Sequence, residues 1–83
     1  MDHYIVLRSI THATRLQRAF AGYKSTVSLV HTPHKIPSGG CSYSIRTSSS
    51  NLKIVKQKAD ELGVRIMSAY KKLNNGEFEE VRM

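Results

Sequence analysis

Apolar residues in the first half of the chain change from a strand-like run to a helical spacing and back. Tyr4-Ile5-Val6-Leu7 is an uninterrupted run of strand-favouring residues and predicts a buried strand. We expect a helix to follow, with Ser9 or Thr11 as its N-cap and Gly22 at its end. Residues Thr26 to Thr32 predict a second strand. The helical spacing is carried by Ala13, Leu16, Ala19, Phe20 and Tyr23.

The second half repeats this order. Tyr43, Ile45 and Thr47 alternate with polar residues and predict a half-buried strand. The segment Ser48 to Asn51 offers several N-caps for a second helix, and Gly63 is expected to end it. Its predicted apolar face comprises Leu52, Val55, Ala59 and Leu62.

A fourth strand is predicted from Val64 to Tyr70, and Asn74-Asn75-Gly76 interrupts the pattern. The two similar halves therefore predict an α+β fold of the ferredoxin-like βαββαβ type. We expect a four-stranded antiparallel sheet in the order 4-1-3-2, with both helices on one face. The predicted domain covers residues 1–73, and residues 74–83 form a peripheral acidic C-terminal tail.

The loop between strands two and three holds the most unusual composition. It contains both prolines, Pro33 and Pro37, then Ser38, the pair Gly39-Gly40 and the chain's one cysteine, Cys41. Prolines restrict the backbone, whereas a glycine pair permits a close turn beside the thiol. A long connection of this composition is typical of a functional loop.

The predicted topology brings this loop to the start of the first helix. We therefore expect Cys41 to face the helix N-terminus, with Arg8, Ser9, Thr11 and His12 nearby. The helix N-terminus stabilises negative charge and so favours a thiolate. The other expected supporting residues are Ser38, Gly39, Gly40, Ser42, His34 and Lys35. The alternative is a structural thiol, because free cysteine is among the most buried residue types.

Composition limits the remaining possibilities. The chain has 83 residues and a formal net charge of +7, so its partners should carry negative charge. A single cysteine excludes an internal disulfide and fits a reducing compartment. The first residues lack the features of a signal peptide, and no apolar run reaches membrane-spanning length. We therefore expect a cytoplasmic protein.

Three other kinds of site compete with the reactive thiol as interpretations of the sequence. His31, His34 and Cys41 do not complete a four-ligand zinc set, so no metal site is predicted. RNA-recognition domains share the predicted fold, but their signature is absent, and Ser42, Ser44 and Arg46 would occupy the open sheet face. A small interaction module remains an alternative, in which Val6, Val30 and Met67 pair with a second subunit.

The pattern of strand, helix, Thr32-Pro33 and Ser38-Gly39-Gly40-Cys41-Ser42 resembles a bacterial family described as putative selenium/sulfur carrier-like proteins. The resemblance runs from Tyr4 to Leu73. The chain has His34 where arginine is common and Ser42 where glycine usually follows the cysteine.

Membership would imply that Cys41 carries sulfur or selenium as a persulfide or perselenide, with no other cofactor. It would also imply a donor protein and an acceptor enzyme as partners, and a carrier that need not itself be an enzyme.

Overall fold

A computed structural model describes residues 2–20, 27–37 and 43–82 of the chain. These residues form five strands, two α-helices and one turn of 3-10 helix. In chain order the elements are β1 (Asp2–Leu7), α1 (Ile10–Arg18), β2 (Val27–His31), β3 (Tyr43–Ser48), the 3-10 turn (Ser49–Asn51), α2 (Leu52–Leu62), β4 (Ile66–Lys72) and β5 (Phe78–Val81).

The strands form one antiparallel sheet in the order β2-β3-β1-β4-β5. Because β1 and β2 both run antiparallel to β3, they are parallel to each other, and the first four strands follow the predicted order. The α+β class with two helices is confirmed, but the prediction of four strands is wrong. The segment expected to be a peripheral tail supplies β5, in which Phe78 pairs with Lys72 and Val81 with Ala69.

Both helices pack on one face of the sheet. Leu16 of α1 and Val55 of α2 belong to the same buried cluster as Ile5 and Ile45 of the sheet, and none of these four side chains is exposed. Burial of such side chains contributes roughly 1.5–3 kcal/mol each relative to exposure. This helix-side cluster is the larger of the two cores. Its buried members are Ile5, Leu7, Ala13, Leu16, Phe20, Ile45, Val55, Ala59, Val64 and Ala69.

The helix ends agree with the sequence pattern in part. The Ser9 hydroxyl oxygen accepts a hydrogen bond from the His12 backbone N–H at 3.3 Å, so Ser9 is the N-cap of α1. Gly63 ends α2 with a left-handed φ of 69°, as predicted. Residues 49–51, however, form a 3-10 turn, and Asn51 uses its side-chain N–H to contact the Thr47 hydroxyl at 3.1 Å instead of capping α2. Gly22 lies outside the described residues.

The other face of the sheet is covered by part of the loop after β2. We call residues 32–37 the strap. Ile36 of the strap is 3 % exposed and forms a second buried cluster with Tyr4, Val6 and Tyr70. Val30 and Phe78 pack against this cluster, and the Phe78 ring meets the Tyr4 ring edge-on at a centroid distance of 5.5 Å. A face expected to be open is therefore partly covered.

Candidate functional site

The centre of the predicted site lies outside the described residues. These positions are Ser38, Gly39, Gly40, Cys41 and Ser42. Their predicted roles stay predictions, but the residues on both sides of the segment are described. The geometry of the site is therefore built from Pro37, from Tyr43 and from the elements around them.

The two strand ends that flank the loop are neighbours in the sheet. His31 ends β2, Tyr43 begins β3, and the two residues are partners in the antiparallel ladder. Their rings also touch, with centroids 4.8 Å apart and an interplanar angle of 34°. The chain thus leaves the sheet and returns to it at adjacent positions. The ring contact between His31 and Tyr43 lies on the helix side of the sheet, where Tyr43 packs against the larger core.

The start of α1 lies at the same end of the sheet. Val6 and Val30 pair with Ser44 from opposite sides of β3, so β1 and β2 end at the same end of the sheet with β3 between them. Helix α1 begins at Ile10, shortly after β1 ends at Leu7. The structure therefore brings the ends of the cysteine-bearing loop and the first turn of α1 to one end of the sheet.

The predicted supporting residues of this turn differ in their environments. Arg8 and Thr11 are exposed, and Ser9 is occupied as the N-cap. His12 is half-buried, and its ring nitrogen Nδ1 is fully buried without a hydrogen-bond partner in the described part of the chain. A buried polar atom without a hydrogen-bond partner lowers the free energy of unfolding by about 1–3 kcal/mol, so such atoms are few in native structures.

One hydrogen bond attaches the beginning of the strap to the sheet, and a second lies within the strap. The hydroxyl oxygens of Thr32 and Ser44 lie 2.6 Å apart, and Ser44 is fully buried. The Ile36 backbone N–H donates to the Pro33 carbonyl oxygen at 3.0 Å, which closes a turn. The first of these hydrogen bonds holds the strap against the sheet, with Ile36 packed on β1 and β4.

Lys35 contacts a region that the sequence pattern did not connect with it. Its Nζ lies 3.3 Å from a carboxylate oxygen of Glu77, in the turn between β4 and β5. His34 is exposed. The structure pairs Lys35 with this hairpin instead of with the first turn of α1, and the expected roles of His34 and Lys35 toward Cys41 stay predictions.

Comparison with known families gives one match. Residues 2–71 match the family described as "Putative Se/S carrier protein-like". The chain belongs to this family. Neither the curated proteins nor the solved structures contain a match. The matched region of the carrier-like chain extends from β1 into β4 and includes Cys41, whereas β5 lies beyond it.

The strap-side face of this carrier-like protein differs from the open face expected from sequence. Ser44 lies on that face but is fully buried, whereas Arg46 is exposed. Val6 and Val30 pack with Ile36, so they do not form a free apolar surface. Met67 is 49 % exposed and does not belong to the cluster formed by Tyr4, Val6, Ile36 and Tyr70. It lies at an irregularity in β4, because Ser68 pairs with Val6 and Ile66 with Leu7.

Two further observations concern the described residues alone. Within residues 2–20, 27–37 and 43–82, no three side chains of the His, Cys, Asp or Glu types are grouped as metal ligands. Neither α1 nor α2 has the length and apolar character needed to cross a membrane.

Sequence reasoning missed Ile36 and Glu77, which both take part in contacts between the strap and the rest of the molecule. The available signal for Ile36 was a single large apolar side chain between two prolines in an otherwise polar loop. For Glu77, the signal was an Asn-Asn-Gly turn followed by Phe78, because such turns commonly join two strands of a hairpin.

Proposed function

We propose that the chain is a sulfur or selenium carrier in which the Cys41 thiol bears the transferred atom as a persulfide or perselenide. The observation that carries this proposal is the family match over residues 2–71, a range that contains the chain's one cysteine. A ferredoxin-like βαββαβ core extended by β5 is the fold we assign to the carrier.

The proposed reaction is a thiol exchange in which no net oxidation occurs. The Cys41 thiolate attacks the outer sulfur of a donor persulfide, a new S–S bond forms, and the donor's own S–S bond breaks. The donor cysteine leaves as a thiolate, and Cys41 now carries the sulfur as a persulfide. The same exchange with an acceptor thiol discharges the carrier.

The surroundings of the loop favour the anionic form of the thiol. The first turn of α1 carries the partial positive charge of a helix N-terminus, has no acidic side chain, and begins at the end of the sheet where the loop begins and ends. His12 Nδ1 can donate a hydrogen bond to a thiolate if it carries the ring proton. We expect these groups to hold the pKa of Cys41 below the ordinary value of about 8.5.

A single thiol also suits the stability of the loaded form. A second cysteine could attack the persulfide and release its outer sulfur while forming a disulfide. The chain contains one cysteine, so this internal discharge is excluded. We therefore propose that the protein is a non-enzymatic carrier, loaded by a donor protein and emptied by an acceptor enzyme.

The direct test is the intact mass of the protein after incubation with glutathione persulfide. We expect a gain of one sulfur atom that is removed by a thiol reductant and does not occur in Cys41→Ser. A wild-type chain that gains no sulfur under conditions in which a free cysteine peptide is loaded contradicts the proposal.

The pH dependence of iodoacetamide alkylation tests the activation of the thiol separately. The folded protein should be alkylated with a midpoint below about 8.5. Alkylation that begins only after denaturant is added would support the alternative, a small basic interaction module with a structural cysteine.

A further inference from the structure

The outer surface of α1 forms a shallow groove of about 480 Å³. Ile10 lies in it with 47 % of its surface exposed. Arg15 and Arg18 form its basic side and are exposed. We call this surface the α1 groove; its lining residues are Ile10, Thr11, Thr14, Arg15 and Arg18.

The charges on α1 are not neutralised as those of two lysines on α2 are. On α2, Lys56 pairs with Asp60 at 3.5 Å and Lys58 with Glu61 at 3.6 Å. Helix α1 contains no acidic residue, and none of the ion pairs formed within the described residues involves Arg15 or Arg18. The α1 groove therefore presents two uncompensated guanidinium groups beside an exposed apolar side chain.

This arrangement matches the anatomy of a protein-binding surface. Interfaces combine an apolar centre with a polar rim, and arginine is enriched in them because its planar group binds carboxylates through two hydrogen bonds. Among the described residues that line the groove, a nucleic acid would instead find no aromatic ring on which a base could stack. The chemistry of the groove favours a peptide segment with carboxylates around an apolar side chain.

The position of the groove connects it with the cysteine-bearing loop. Ile10 lies in the first turn of α1, at the end of the sheet where β2 ends and β3 begins. A partner bound along α1 would thus reach the same end of the molecule as the loop. A second copy of the chain is a poor occupant, because four of its six carboxylates are already in ion pairs and the others, Asp2 and Glu80, lie on separate strands.

We propose that the α1 groove docks an acidic segment of the protein that exchanges sulfur or selenium with Cys41. The segment's carboxylates bind Arg15 and Arg18, and an apolar side chain between them packs on Ile10. The identity of the partner as a donor or acceptor rests on the proposed carrier function, whereas the binding surface itself does not require the thiol.

The probe for this test is a fluorescein-labelled peptide with Glu-Leu-Glu-Glu repeats, titrated by fluorescence anisotropy at about 150 mM salt, where distant charges are screened. Arg15→Glu/Arg18→Glu should weaken binding at least about tenfold, and Ile10→Ser about threefold or more. The matched control Lys53→Glu/Arg65→Glu makes the same change of charge at exposed sites and should weaken binding less than about twofold.

Glutamate at the end of α1 also opposes the helix dipole, so Arg15→Gln/Arg18→Gln provides a second pair that removes the cations without adding negative charge. Circular dichroism checks that each variant is folded. A peptide with serine in place of leucine should bind more weakly, and a single-stranded DNA of equal length should show no dependence on Ile10.

Several results would overturn the inference. They are absence of peptide binding, equal losses in the α1 and control variants, or Ile10-dependent binding of the DNA in preference to the peptide. The binding series is repeated with Cys41→Ser, which should bind as the wild type does. Peptide binding without sulfur loading would contradict the carrier function alone, and sulfur loading without arginine-dependent binding would contradict the docking surface alone.

Discussion

The two faces of the sheet are covered in different ways. On one face, two helices contribute Ala13, Leu16, Val55 and Ala59 to a continuous core with three strands of the sheet, and Phe20, just after α1, joins it. On the other face, the strap contributes a single buried side chain, Ile36, which packs on Tyr4, Val6 and Tyr70. One face is thus built from regular elements, whereas the other depends on one residue of a loop.

This difference indicates that the two faces of the sheet have different roles, one in stability and the other in the placement of the loop. The helix-side core has many mutually supporting contacts and should account for most of the free energy of unfolding. The strap-side core joins the loop that leads to Cys41, through Ile36 and Lys35, to β1, β4 and the turn before β5. Its loss should affect the loop more than the fold.

The largest effect is expected on the helix side. Leu16→Ala removes a fully buried side chain from between α1 and the sheet, and the rigid elements around it cannot close the cavity completely. We expect a loss of about 3–4 kcal/mol in the free energy of unfolding, measured by urea denaturation. The control Leu62→Ala, at a residue 36 % exposed, should cost less than about 1 kcal/mol.

A smaller loss is expected on the strap side. Ile36→Ala removes a side chain of similar size, but the strap can move toward the sheet and reduce the cavity. We expect a loss of about 2 kcal/mol in the free energy of unfolding, which is the lower end of the range for replacing a buried isoleucine with alanine. The rate of Cys41 alkylation should also change, because Pro37 directly precedes the segment that carries the thiol.

Ile10→Ala, at a residue 47 % exposed, is the matched control and should leave both quantities nearly unchanged. A cost for Ile36→Ala equal to that for Leu16→Ala would contradict the difference between the two faces.

The regular elements of the fold were predictable because their signals are local. The β1 run, the helical spacing of Ala13 and Leu16, the Ser9 cap and the Gly63 stop all depend on nearest neighbours in sequence, and each is present in the structure. The segment 48–51 was predicted less well, since Asn51 contacts Thr47 instead of capping α2.

The strap and β5 were not predictable in the same way. The burial of Ile36 depends on tertiary contact with Tyr4, Val6 and Tyr70, which are distant in sequence. In β5, Phe78 and Val81 are separated by two glutamates, so the segment lacks strand-like alternation and its acidic composition indicates a tail. Placement of Cys41 beside α1 remains a prediction that rests on topology.

The hydrogen bond at the start of the strap gives an intermediate test. Thr32→Val keeps the shape of the side chain but leaves the fully buried Ser44 hydroxyl without its 2.6 Å partner. We expect a loss of about 1–2 kcal/mol in the free energy of unfolding, because an unpaired buried polar group is costly. Ser50→Ala breaks a 3.0 Å contact with Ser48 in an exposed setting and should be nearly neutral. Equal effects of the two substitutions would argue against burial of this end of the strap.

The smallest effect is expected from the ion pair between the strap and the β4–β5 turn. The side chains of Lys35 and Glu77 are 59 % and 60 % exposed, so water and salt screen their attraction. A double-mutant cycle with Lys35→Met and Glu77→Gln should give a coupling energy below about 0.5 kcal/mol that disappears at about 1 M salt.

The pair Lys71–Glu79, whose lysine is 32 % exposed, provides the comparison on the same hairpin. A coupling above about 1 kcal/mol for Lys35 and Glu77 would mean that charge, and not burial of Ile36, holds the strap on the sheet.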